Sequence, residues 1–249
     1  MVVTAAGSAE EAVRRWVDAA GGRLVLDGGL ATELEANGAD LNDPLWSAKC
    51  LLSSPHLIRK VHMDYLEAGA NIIITASYQA TIQGFESKGF SKEQSENLLT
   101  KSVEIALEAR EMFLKEHLEK STPIQHPVLV AASLGSYGAY LADGSEYSGD
   151  YGEAGTKEFL KDFHRRRLQV LAEAGPDLIA FETIPNKLEA EVYYFAIRVF
   201  CLAFLSILRK QFLIVGNFVF FRRMSNFSRS ATSISLHGFP STQKMECIL

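Results

Sequence analysis

Apolar residues gather in four short, nearly continuous runs: 23–29, 71–78, 127–135 and 177–185. Strands buried on both faces have this pattern. Each run ends in small or polar residues, where a loop would leave the carboxyl end of a strand. Strands are therefore predicted to begin at about 24, 72, 128 and 178. Between the runs, apolar positions recur at helical spacing. Ala12, Val13, Trp16, Val17 and Ala20 form one stripe, with Ser8 and Glu11 at capping-box spacing ahead of it. Pro55 suits a first helical position, and Leu57, Ile58, Val61, Tyr65 and Leu66 follow before Gly69. Ser91 with Gln94 opens a helix to about Leu118, and Thr156 opens another that ends at Ala174-Gly175-Pro176. Asn186 with Glu189 marks the start of a fourth inter-strand helix.

Strands alternating with helices imply parallel strands joined by right-handed crossovers. The fold class is α/β. No Gly-x-Gly-x-x-Gly follows any strand, which favours units of a (β/α)8 TIM-type barrel over a dinucleotide-binding sheet. Four units occupy about 190 residues, the first half of such a barrel.

Composition breaks the chain in two. Residues 1–191 carry 18 basic and 29 acidic side chains, whereas 192–249 carry 7 basic side chains and the single acid Glu246. The second part also holds 9 of the 15 phenylalanines. Residues 1–191 are thus read as the half-barrel and 192–249 as an apolar, basic, helical tail. The tail's abrupt change favours a segment not selected for this fold, such as the product of an altered transcript. A divergent continuation is the weaker reading. So is a membrane span over 199–221, because Arg209, Lys210, Gln211 and Asn217 fall inside it.

A net charge of -5 disfavours general nucleic-acid binding. Three separated cysteines, Cys50, Cys201 and Cys247, make no disulfide framework and suit a reducing, cytoplasmic home. The acid-bearing N-terminus reads as an amphipathic helix rather than a targeting segment. A half-barrel would leave strand edges open to association with another chain.

Candidate chemistry sits at the strand ends, where both barrels and open sheets keep their sites. Asp27 precedes Gly28 and Gly29, which allow close approach to the backbone. Glu182 closes the fourth run. Thr75, Ser77, Tyr78 and Gln79 end the second, and Ser133, Gly135 and Ser136 end the third. The two carboxylates could bind an ammonium group or do acid/base work, and the spacing does not choose between them.

Several motifs resemble the homocysteine S-methyltransferases, most closely the plant-type branch that uses S-methylmethionine. They are Leu26-Asp27-Gly28-Gly29-Leu30-Ala31-Thr32-Glu33-Leu34-Glu35, Asp43-Pro44-Leu45-Trp46-Ser47, Ile74-Thr75-Ala76-Ser77-Tyr78-Gln79-Ala80, Gly135-Ser136-Tyr137-Gly138-Ala139-Tyr140-Leu141-Ala142-Asp143-Gly144-Ser145-Glu146-Tyr147 and Phe181-Glu182-Thr183-Ile184-Pro185-Asn186. The resemblance covers about residues 10–191 and implies a barrel that moves a methyl group from a sulfonium donor, S-methylmethionine or S-adenosylmethionine, to homocysteine, making methionine. It implies that Asp27, Gly28, Gly29 and Glu182 hold the amino-acid end of homocysteine, with Thr75, Tyr78 and Gln79 as a pocket wall. It also implies zinc held by three cysteine thiolates, with the substrate sulfur in the open position. A thiol of pKa ~8.5 is mostly protonated at neutrality, and zinc removes that proton. The family's Asn-Cys and Gly-Gly-Cys-Cys zinc motifs do not occur in this chain. Zinc binding in the family's manner is accordingly not expected, and activity of this chain is in question.

Overall fold

The computed structural model describes residues 9–193. Three strands, β1 (Ile72–Ile74), β2 (Leu129–Gly135) and β3 (Leu178–Glu182), form a parallel sheet in sequence order. Ile72 pairs with Leu129, and Gly135 with Glu182. The first predicted strand is reduced to one parallel bridge, Leu26 to Ile72. Two glycines follow Asp27 at once, and the chain turns into helix α2 (Leu30–Ala36). Side chains replace part of the missing ladder. Asn71 Oδ1 accepts from the Val25 N–H at 2.9 Å, and the Asp27 N–H donates to the Ile72 carbonyl. Asp177, just ahead of β3, does the equivalent for Val130.

The helices follow their predicted starts. Helix α1 is Ala9–Ala19, and the short α3 (Cys50–Ser53) leads into α4 (Pro55–Glu67), which has its proline in the first turn. After α5 (Ile82–Glu86), the long α6 (Lys92–Glu119) opens with a complete capping box between Ser91 and Gln94. Short helices α7 (Tyr137–Leu141) and α8 (Ser145–Ser148) follow β2. Thr156 caps α9 (Lys157–Glu173) by accepting from Phe159 N–H. A further helix begins at 187, with Asn186 Oδ1 accepting from the Glu189 N–H. The expected tail, with its candidate membrane span, Cys201 and Cys247, lies outside the described residues. Among the described residues no helix is long and apolar enough to cross a membrane.

Both faces of the sheet are buried, as the continuous apolar runs require. Ile73 and Val130 pack with Leu66, Ala106 and Phe113 from α4 and α6. The alternate positions Ile72, Leu129, Ala131, Leu178 and Ala180 form a separate cluster with Trp16, Leu24 and Leu26. Period two then puts Ser133 and Glu182 in phase with this second face, opposite α4 and α6.

Candidate active site

Asp27 and Glu182 come together at the carboxyl end of the sheet. Asp27 Oδ2 accepts from the Ile74 N–H at 2.7 Å, while its Oδ1 is buried with no hydrogen-bond partner. Burial is the largest influence on this carboxyl. The Ile74 N–H opposes it and the Glu182 charge reinforces it, and the group is raised to about 7. Burial also raises Glu182, against the hydroxyl of Ser133, which donates to its Oε2. Thr183 follows directly in a left-handed conformation (φ 49°), a rare state for a β-branched residue. Backbone strain of this kind concentrates at functional sites.

The other predicted residues divide. Gly28 lies against Tyr65, and a β-carbon there would come within 2.7 Å of its hydroxyl. Gly29 stands at the N-terminal cap of α2. The Tyr78 hydroxyl donates to Glu146 Oε2 at 3.2 Å, and burial pushes its pKa above the ordinary tyrosine value. Gln79 Oε1 accepts from the Ser47 hydroxyl at 3.4 Å, which ties this wall to the Trp46–Lys49 turn. Thr75 is engaged inside the sheet instead. Its hydroxyl meets Ser77 Oγ at 2.6 Å and accepts from the Ser133 N–H at 3.0 Å. It steadies the strand ends from within, and its side chain is 2% exposed.

Three groups escaped the sequence reading. Arg167 is fully buried on α9 and donates to main-chain carbonyls at the strand ends. Its signal was available: a basic residue at helical spacing from Phe163, His164 and Leu171. Glu189 was read only as a capping residue, but its carboxylate points elsewhere. Oε1 accepts from Tyr137 N–H at 2.6 Å and pairs with His164 Nε2 at 2.7 Å, while Oε2 accepts from the Tyr151 hydroxyl at 2.5 Å. Burial lowers the pKa of His164, so this is a hydrogen bond from a neutral ring to a carboxylate. The third is Glu146, present in the third-strand motif without an assigned role, which is the partner of Tyr78.

Among the described residues no group of three or more His, Cys, Asp or Glu could hold a metal ion. Cys50 is buried at 1% exposure, and burial raises its thiol pKa, the opposite of what a thiolate ligand needs. The described residues therefore do not fit the zinc set that the resemblance implies.

Parallel β/α units with acids converging at the carboxyl rim are the arrangement of a barrel-type α/β protein. Comparison with known proteins agrees. The sequence model described as Homocysteine S-methyltransferase matches residues 24–227. The chain is 95% identical over 193 residues to "Homocysteine S-methyltransferase 3" of Zea mays, covering 78% of this chain and 57% of that protein. It is 70% identical over 176 residues to "Selenocysteine Se-methyltransferase" of Brassica oleracea var. italica, covering 70% and 51%. Among solved structures, the metallated form of the Escherichia coli homocysteine methyltransferase MmuM aligns with a TM-score of 0.67 at 48% identity, covering 77% of this chain and 62% of that one. The chain belongs to the homocysteine S-methyltransferase family. It spans a little over half the length of the curated relatives it matches.

Proposed function

We propose that residues 1–191 form the homocysteine-holding half of a methyl-transfer barrel, in which the Asp27–Glu182 pair takes the substrate's ammonium group. The observation that carries this is the buried, unpartnered Asp27 Oδ1 beside a second raised carboxylate. A buried acceptor without a donor costs about 1–3 kcal/mol. An ammonium group brings three donors and a compensating charge to that position. Gly28 and Gly29 keep the approach narrow, and Tyr78 and Gln79 supply the adjoining wall. Thr75 acts through Ser133, whose hydroxyl orients Glu182. The family model extends to residue 227, beyond the expected boundary at 191.

In the family's reaction the homocysteine thiol gives up its proton to solvent, and the resulting thiolate attacks the methyl carbon of a sulfonium donor, S-methylmethionine in the plant branch. The carbon–sulfonium bond breaks and a neutral thioether leaves. This chain's described residues bind and orient the acceptor. They supply no set that would hold the metal. Calorimetric titration of the full chain with homocysteine tests the binding. A methyl-transfer assay with S-methylmethionine, and with selenocysteine as a second acceptor, tests the reaction. Saturable homocysteine binding that Asp27→Ala removes is the expected result, and no binding by the folded wild type would end the proposal.

A further inference from the structure

Arg167 is among the largest fully buried side chains of the protein, at 1% exposure. Its Nη1 donates to the Gly135 carbonyl at 3.1 Å, and its Nη2 to the carbonyls of Ser77 at 2.6 Å and Tyr78 at 2.7 Å. The paired register of β1 with β2 ends at Ile74 and Ala131, and the last ladder bond runs from Thr75 N–H to the Ala131 carbonyl. Beyond that point no ladder bond between the two backbones serves these carbonyls, and the Ser77 carbonyl accepts one local amide, the Ala80 N–H at 3.2 Å. The backbones still run close, for a β-carbon on Gly135 would overlap the Tyr78 carbonyl and ring. A planar, always-charged fork reaching in from α9 satisfies all three carbonyls at once, which a lysine, a single point charge of shorter reach, does not.

We infer that Arg167 is a positioning residue. It clamps the Ser77–Tyr78–Gln79 peptide against the end of β2 and so sets the direction in which Tyr78 and Gln79 face the substrate pocket. The link to the substrate rests on the homocysteine reading above, while the clamp itself does not. A role confined to overall stability would leave the wall intact in any folded variant. A clamp makes the wall loosen locally.

The Ala80 amide reports this directly, because it donates to the Ser77 carbonyl that Arg167 also engages. In the full chain, Arg167→Lys is expected to speed hydrogen exchange at Ala80 about tenfold, with the β3 amides unchanged. Tyr193→Phe removes a second donor to the Gly135 carbonyl, together with the hydroxyl's contact to the His164 ring, and is expected to leave Ala80 as it was. Homocysteine affinity should fall about tenfold in Arg167→Lys. Tyr78→Phe should then cost less in that background than in the wild type, a coupling that a merely structural role would not produce. Unchanged exchange at Ala80 in folded Arg167→Lys overturns the inference, as do additive losses with Tyr78→Phe. Should the lysine variant not fold, native-state exchange of the wild type decides. Protection of Ala80 comparable to the β2 amides supports the clamp, and exchange at the rate of an open loop refutes it. A wild type that binds no homocysteine removes the functional reading, and the exchange comparison still decides the clamp.

Discussion

The carboxyls of Asp27 and Glu182, distant in sequence, share one end of the sheet closely enough for the charge of one to bear on the other. Burial, with the Glu182 charge added and the Ile74 N–H opposing, holds Asp27 at about 7. A free carboxylic acid titrates near ~3.9. Asp27 is thus poised between protonated and ionised forms at neutral pH, and an arriving ammonium group favours the ionised form.

That poise has a cost in the ligand-free protein. Between about pH 4 and 7 the native state holds the proton that the unfolded chain has lost, so stability falls as pH rises through this window. Asparagine keeps an acceptor for the Ile74 N–H and carries no proton to lose. Asp27→Asn is expected to be about 2 kcal/mol more stable than the wild type at pH 8, with no gain at pH 4. Urea unfolding at both pH values measures the difference, and equal effects at the two would contradict the assignment.

Homocysteine binding should carry the opposite dependence. Ionised carboxylates are the form that takes the ammonium group, so affinity is expected to rise between pH 6 and 8, by up to about tenfold per pH unit below the Asp27 pKa. Calorimetry across that range, in buffers of differing ionisation heat, reads both the affinity and the proton released. A flat profile would mean that Asp27 is already ionised or does not touch the ligand.

Gly135 tests the close approach of the two strand ends. A methyl group there meets the Tyr78 carbonyl and ring, neither of which is a free-swinging tip. Gly135→Ala is expected to lose about 1–3 kcal/mol of stability and to weaken homocysteine binding through displacement of Tyr78. Unfolding measurements alongside titration would show whether the two losses arrive together.

His62 is fully buried on α4, and neither ring nitrogen has a partner. Burial lowers its pKa to about 4. The unfolded ring titrates near ~6.5, so stability is lost as pH falls from there towards 4, where the unfolded chain binds the extra proton. His62→Leu should gain about 1 kcal/mol at pH 7 and flatten the profile between pH 6.5 and 4. Thermal unfolding at pH 7 and pH 5 checks both, and a destabilised leucine variant would show that the ring has a polar partner.

Glu189 joins four elements through three donors. Glu189→Ala strands those buried donors and should cost about 3 kcal/mol or more, whereas Glu189→Gln keeps an acceptor and should cost less. Denaturation midpoints of the two variants give the comparison, and near-equal losses would mean that the carboxylate's charge matters more than its geometry.

Most elements were legible because their signals are local. The proline opening α4, the capping box at Ser91 and the Thr156 cap satisfy orphan N–H groups within a few residues, so spacing alone reveals them. The first strand misled for a physical reason. Three apolar residues, Leu24, Val25 and Leu26, suggested a full strand, but the turn at Gly28 and Gly29 leaves room for only one bridge. Asn186 capped its helix as expected, yet Glu189 did not return to complete the box, because three buried donors from other elements compete for it.

The order of strands and helices, the family, and the concentration of polar groups at the strand ends were determined by the sequence alone. They arise from short-range sterics, capping and the period of apolar burial, which act between neighbours along the chain. Only the tertiary structure decided that Asp27 is raised by burial beside Glu182, that Thr75 turns into the sheet, and that Arg167 reaches three carbonyls at the strand ends. The energy of a buried polar group depends on which partners packing brings within about 3 Å of it, and those partners come from distant parts of the chain.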